Sequence, residues 1–418
     1  MPAHLVRQLT MSHSGLTRSV RLYPIYAPLT QAYFWLPVFF LYFNQHMPIE
    51  QVLRLEAIYY VAVVILEVPS GYLSDTLGRR LTLLISAVSS IFAYVLFFLG
   101  GSFGVFVLAQ IGLAASIAFR SGTDTSFHYD LLKYLGREDA YPQREARITR
   151  NIFIASAGAA LLGGLGSIYA LRVAYGLSLL AACVAFALVL LFAEPDRESS
   201  SASGGQASGF FLQIRACLAY LSQPVLGWLM LFSVFMTVVN HIPYEFYQPY
   251  IQLLGAQAST PLLTGLHTAL TMGIAAWFAK QSIRLRDHFG TRSALMLSAG
   301  VQVVLISLMG FFFHPVVALL LAFRSVPRAL MIAPLNAATV PRLQQHHRAT
   351  YLSIQSLIGR LSFSLCLALL AGVSSSEGLD VALSHTLLHC AVFAIAGCVV
   401  LAVLAVVIPR SQWRLTPE

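Results

Sequence analysis

The sequence predicts an all-α membrane protein of twelve transmembrane helices, arranged as two pseudo-symmetric six-helix bundles. Three observations carry that expectation. Hydrophobic residues make up 57% of the 418 and charged residues only 10%, too few to keep a soluble core of this size in solution. Average hydropathy is strongly positive. Apolar stretches of about 20 residues, the length a helix needs to cross the hydrocarbon core, recur along almost the whole chain. Only helices and closed barrels satisfy their backbone groups in lipid, and stretches of this length are helices rather than barrel strands.

The approximate spans are 22–43, 52–73, 81–100, 103–132, 148–170, 173–193, 224–251, 260–280, 293–313, 315–338, 349–372 and 382–407. Residues 1–21 carry Arg7, Arg18 and Arg21 but lack the compact apolar run and cleavage site of a signal peptide. They read as a cytoplasmic tail, as do residues 408–418. Basic residues fall on alternate loops: Arg79 and Arg80, the run Lys133, Arg137, Arg144 and Arg147, the cluster Lys280, Arg284, Arg286 and Arg292, then Arg342 and Arg348. This positive-inside asymmetry places both termini in the cytoplasm of a cell inner (plasma) membrane. The net charge of +9 is thus a topology signal, and no nucleic-acid partner is expected. The partners expected are the lipid bilayer, a small-molecule substrate and protons, with the chain a monomer. Five scattered cysteines lack metal-ligand spacing; no metal, disulfide framework or cofactor is expected.

The Ser/Gly stretch 199–209 is a flexible linker, and Phe211–Leu221 after it reads as a surface-lying amphipathic helix. The linker region, 194–223, separates an N-terminal bundle, 22–193, from a C-terminal bundle, 224–407. Internal similarity supports the division. Asp75-x-x-Gly78-x-Arg80 recurs as Asp287-x-x-Gly290-x-Arg292, and Arg147-Ile-Thr149 recurs as Arg348-Ala-Thr350. Ala-Phe-Arg-Ser appears in span 4 (118–121) and span 10 (322–325), although Arg120 lies deeper from the start of its span than Arg324.

Gly71-Tyr-Leu-Ser-Asp75-Thr-Leu-Gly78-Arg79-Arg80 resembles the G-x-x-x-D-x-x-G-R-[RK] signature of the major facilitator superfamily, on the link between spans 2 and 3 where that family carries it. The resemblance implies a transporter working by alternating access. It also implies a latch on the cytoplasmic side, built from Gly71, Asp75, Gly78, Arg79 and Arg80, with Asp130 as a second partner for Arg79. Asp287, Gly290 and Arg292 are the corresponding gating residues of the second half. Asp75 at a loop-to-helix junction is suited to capping a helix N-terminus or pairing with Arg79. Two family signatures are altered. The span 4 pattern is only echoed by Gln110-Ile-Gly112, with Val107 at its arginine position, and the span 5 antiporter pattern lacks its Gly-Pro.

Ionisable groups at membrane depth are costly, so they face the interior and pair or work. They are Glu56, Glu67, Arg120, Asp124, Glu245, Arg324, Arg328 and Arg360. The resemblance implies a cavity lined by spans 1, 4, 7 and 10, which favours Arg120, Asp124, Glu245, Arg324 and Arg328 as substrate-binding groups. Arg120 and Asp124, four apart, are spaced to bridge on one helix face. Tyr33 and Trp35 in span 1 suit an apolar substrate part. In span 7, Asn240 and Tyr244 accompany two prolines expected to interrupt the helix and expose backbone groups. Arginine pairs with carboxylate or phosphate, so a small amphipathic organic anion or zwitterion is the expected substrate, with Asp124 or Glu245 coupling transport to protons. Glu67 and Arg360 read as structural. Export is favoured over proton-coupled uptake, which stays open, as does a non-transporting sensor on the same fold. Without a phosphate loop, metal cluster or nucleophile motif, no enzyme activity is expected.

Overall fold

The computed structural model describes residues 3–194, 209–253, 261–371 and 379–413. Span 1 comprises α1 (Ala3–Thr30) and α2 (Phe39–His46); α3 (Ile49–Leu77) and α4 (Arg79–Leu99) follow as spans 2 and 3. Span 4 comprises α5 (Phe103–Arg120) and α6 (Thr123–Tyr134), and α7 (Tyr141–Gly166) and α8 (Arg172–Leu190) close the first half. The short α9 (Phe210–Ala219) precedes the second half of α10 (Pro224–Leu253), α11 (Pro261–Phe289) and α12 (Thr291–Phe311). Span 10 is divided between α13 (Pro315–Leu320) and α14 (Val326–Thr339), followed by α15 (Arg348–Ala371) and α16 (Leu379–Val407). The described residues contain no strand.

Nine helical segments among the described residues are long and apolar enough to cross a membrane. The remaining expected spans, α1, α11 and α15, carry more polar residues. For α11 and α15 the cause lies in what they pack against: they meet α7 and α3 of the first half, and lipid contact is traded for partner contact. Outward-facing residues such as Ile65, Leu180, Val403 and Val407 are exposed, as a lipid-facing surface requires.

Two expectations are corrected. The N-terminal segment is not a separate tail, because α1 runs from Ala3 to Thr30 without a stop. Its Leu16 and Val20 are buried with Phe192 of the first half, so packing continues well before residue 22. The prolines of span 7 do not interrupt it, since α10 runs through Pro243 and Pro249. Pro243 cannot donate to the carbonyl four residues back, and Gln302 Nε2 of α12 donates to that Val239 oxygen instead, at 2.8 Å. The same repair operates at Pro24, where Arg144 Nη2 takes the Val20 carbonyl at 2.7 Å. The breaks lie elsewhere, in spans 1, 4 and 10.

The breaks in spans 4 and 10 coincide with the repeated Ala-Phe-Arg-Ser. In span 4 the helix stops at Arg120, and Gly122 adopts a left-handed φ of 69°. In span 10 a 3-10 turn covers Leu321–Phe323 before α14 begins. Measured back from the far ends of α6 and α14, Arg120 and Arg324 both lie about four turns in. The depth mismatch vanishes because the two spans differ only in the segment before the break.

Gly71 is needed where α3 crosses α15. A Cβ there would meet Ser353 Oγ at 2.6 Å and the Ala349 carbonyl at 2.9 Å, and a backbone oxygen cannot rotate away. Gly71→Val is expected to cost about 1–3 kcal/mol, as overpacking does, and to lower the unfolding temperature in detergent. An unchanged melting curve would mean that the two helices do not approach this closely.

Candidate functional site

The signature residues build a clasp between the two halves. α15 starts at Arg348, so its first N–H groups have no partner within the helix. Asp75, at the end of α3, supplies one: Oδ2 accepts from Thr350 N at 2.8 Å and Thr350 Oγ1 at 2.7 Å, and Oδ1 accepts from Ala349 N at 3.2 Å. A carboxylate at a helix N-terminus also suits the helix dipole. Arg79 Nη1 donates to Asp75 Oδ1 at 2.9 Å, its Nε to Asp130 Oδ2 at 2.5 Å, and its Nη2 crosses to the Gln345 carbonyl at 2.6 Å. Arg348 Nη1 of the second half binds the other oxygen of Asp130. Arg79, Asp130 and Arg348 are 5%, 4% and 2% exposed, so this is a desolvated cluster in which each charge depends on the others.

Two further groups brace it. Glu194 caps α4, accepting from Arg79 N at 2.7 Å and Arg80 N at 3.1 Å. Gln213 of α9 donates to Thr350 Oγ1 at 2.8 Å and to the His346 carbonyl at 2.9 Å. Beside it, burial and then Asp75 push the Cys217 thiol up to about 12. Burial, followed by His346, holds the His347 ring below its ordinary range, with Asp75 opposing. The linker helix is thereby packed against the clasp by uncharged groups.

The second copy of the motif does not repeat the clasp. Asp287 is exposed and pairs with its neighbour Arg286 at 2.6 Å. Two local facts explain this. Thr291 occupies the position equivalent to Arg79. In addition, α7 begins at Tyr141, so the N–H groups of Ile148 and Thr149 already lie inside a helix and need no cap. What is preserved is the role of the second arginine. Arg80 Nη2 donates to the Leu190 carbonyl at the end of α8, and Arg292 Nη1 to the Ala405 carbonyl near the end of α16. Gly78 and Gly290 share a positive φ, 121° and 83°.

The interior gathers some of the predicted residues and separates others. Arg120 Nη2 donates to Tyr33 OH at 2.8 Å and lies 3.7 Å from Asp124. The pair spans the break of span 4 rather than one helix face, and Asp124 Oδ1 is engaged by Thr125 N at 2.7 Å in the first turn of α6. Arg328 is exposed, yet its electrostatic neighbours are Tyr33 and Arg120 of the first half and Arg360 and Tyr244 of the second. Exposure among groups from both halves places Arg328 at a cleft between them. Asn240, one turn before Tyr244, holds a buried Oδ1 with no hydrogen bond.

Arg324 lies apart, stacked over the Tyr247 ring at 4.2 Å and donating to Thr271 Oγ1 at 2.9 Å within the second half. Trp35 turns into the first half, its Nε1 donating to Tyr94 OH at 3.2 Å and its ring parallel to Tyr175. The side chain of Glu245 lies outside the described residues.

The Major Facilitator Superfamily model matches residues 29–367. The chain belongs to that superfamily. Among solved structures, the Escherichia coli fucose:proton symporter FucP superposes with a TM-score of 0.69 at 14% identity, covering 93% of this chain and 98% of its own. The nucleoside transporter NupG gives 0.64 at 10%, covering 94% and 99%, and the human organic anion transporter MFSD10 (TETRAN) gives 0.64 at 17%, covering 96% and 100%. No curated protein sequence matches this chain.

One feature of this superfamily member escapes the sequence reading. His128 is fully buried, its Nδ1 3.2 Å from Glu145 Oε2 and its ring stacked on Tyr23. Glu145 Oε1 accepts from Asn336 Nδ2 of the opposite half at 2.9 Å. The sequence holds a clue, because Pro142 suits the first turn of a helix and an early start for α7 moves Glu145 out of the basic loop. Glu67 and Arg360, both named from the sequence, meet across the two halves: Glu67 is fully buried on α3 and lies 3.9 Å from Arg360 of α15.

Proposed function

We propose that this chain is a secondary active transporter of a small amphipathic organic anion, working by alternating access and coupled to protons. The observation that carries this is that Arg328, exposed at the interior cleft, feels the charges of both Arg120 and Arg360. Only two carboxylates among the described side chains, Asp124 and Glu67, pair with them, and both contacts are long, 3.7 and 3.9 Å. Arg328 has no carboxylate partner among the described residues. A cleft with surplus, loosely held guanidinium charge is suited to bind a carboxylate, sulfonate or phosphate. Tyr33, Tyr244 and Asn240 offer apolar faces and polar handles for the remainder of the molecule. Likeness to the human organic anion transporter concerns the fold; the anion reading rests on these arginines.

The clasp gives the conformational half of the function. It closes the face that carries Arg79, Arg80, Arg342 and Arg348, and the positive-inside tendency makes that face cytoplasmic, in the inner membrane. The intact clasp favours transport over the sensor reading. Thermal unfolding of the purified protein with organic anions, organic cations and neutral amphiphiles, each at two pH values, tests the substrate class. Stabilisation confined to anions is the expected result. Stabilisation by cations or neutral compounds alone would overturn it and leave the arginines structural.

A further inference from the structure

We propose that Glu67 is a proton-binding site and that Arg360 is shared between Glu67 and the anionic group of the substrate, so that an anion and a proton are taken up together. The proposal rests on the anion-transport reading above and names the coupling residue that reading lacks.

Glu67 is wholly buried, and among the described residues neither carboxylate oxygen has a well-formed hydrogen bond, the hydroxyls of Ser121 and Ser356 being its only neutral donors nearby. An ionised carboxylate is not tolerated in such surroundings unless a charge compensates it. The nearest is Arg360 Nε, 3.9 Å away on α15 of the opposite half, too far for a hydrogen bond. The other groups facing Glu67 are Arg120 and Ser121 at the break of span 4 and Ser356 on α15. Ser356 accepts from Arg360 Nε at 3.3 Å, which leaves its hydroxyl proton free for Glu67, but such a neutral donor does not balance the carboxylate's charge.

Arg360, by contrast, reaches the cleft: its side chain is 29% exposed and it is an electrostatic neighbour of Arg328. A substrate anion entering beside Arg328 draws Arg360 from Glu67. The carboxylate, stripped of its counter-charge, then binds a proton from water in the cleft, forming one O–H bond while both guanidiniums stay charged. Release of the anion reverses the exchange. Linkage makes the effect reciprocal: the anion raises proton affinity, and the proton raises anion affinity. Anion and proton therefore move in one direction, which in a membrane with an inward proton force is uptake, the alternative to export left open by the sequence.

Infrared spectroscopy of the full-length protein between pH 6 and 8 tests the site without a ligand. Arg360→Gln should show a protonated carboxyl band at pH 7 that is absent from the wild type and from the Glu67→Gln/Arg360→Gln protein. Glu67→Asp in the Arg360→Gln background, which shifts the band, serves if the double variant does not fold. No new band, or one that persists without Glu67, overturns the proposal. A second arm uses 2-naphthoate, an apolar monoanion ionised throughout this range. Wild-type affinity should rise roughly tenfold for each unit fall in pH, by linkage of one proton, and Glu67→Gln should abolish that slope. An unchanged slope in Glu67→Gln overturns the coupling. If 2-naphthoate fails to bind while the carboxyl band behaves as expected, the anion reading is weakened and the Glu67 proton site stands.

Discussion

Asp130→Asn is expected to release the clasp and open the face it closes. Asp130 is the one carboxylate that touches both Arg79 and Arg348, one from each half. Its amide replacement fits the same space but leaves Arg79 with Asp75 alone and Arg348 with no carboxylate partner among the described residues. Removing one partner from a buried ion pair costs about 3–5 kcal/mol, which shifts the balance between closed and open forms by roughly two to four orders of magnitude. Cys217 gives a native reporter, being 1% exposed beside the clasp with its thiol hydrogen-bonded to the His347 carbonyl at 3.7 Å. In a protein retaining Cys217 as its sole cysteine, Asp130→Asn should speed thiol labelling about a hundredfold and reduce turnover far more than ligand binding. Labelling at the wild-type rate would mean the cluster braces the fold without gating it.

The second large effect is expected at Arg328. Its guanidinium reaches the cleft from α14 without a carboxylate partner among the described residues, so Arg328→Ala removes positive charge without stranding a buried acid. A charge-assisted hydrogen bond to an anion contributes about 1.5–3 kcal/mol, and its loss should weaken anion binding roughly 10- to 100-fold. Neutral amphiphiles should bind as before. Arg328→Lys should recover part of the affinity, since an ammonium keeps the charge but not the planar fork. Equal losses for anionic and neutral ligands, measured by equilibrium binding, would assign Arg328 to folding.

The sequence made the fold legible because lipid imposes a length and a composition on every span. It also located the clasp, since Gly71, Asp75, Gly78 and Arg79 stand at fixed spacing on one short link. The clasp partners on α15 were less visible. Arg348 and Thr350 appear in the sequence only as half of a weak repeat, and their role follows from where α15 starts. Trp35 illustrates the limit for the site: an aromatic residue in span 1 reads as cavity lining, yet its direction depends on a break at 31–38, where Pro37 signals an interruption without saying which way the residues before it turn. Span 7 illustrates the reverse, because its prolines announce a break that Gln302, 59 positions beyond Pro243, removes. Glu145 and Asn336 meet across 191 residues, a distance at which spacing carries no information.

The unequal fate of the two motif copies bears on how the molecule moves. Along one flank of the closed face, the halves are bolted by the charge cluster of α3, α6 and α15. Along the other flank, α7 meets α11 and α14 through the aliphatic Ala146, Ile283 and Ala333, with the Asn336–Glu145 hydrogen bond beside them in place of a charge cluster. Such a face does not part evenly. The barrier to opening is concentrated at the bolted edge, while the other flank is free to slide or pivot, so that two halves of nearly symmetric design swing about one side.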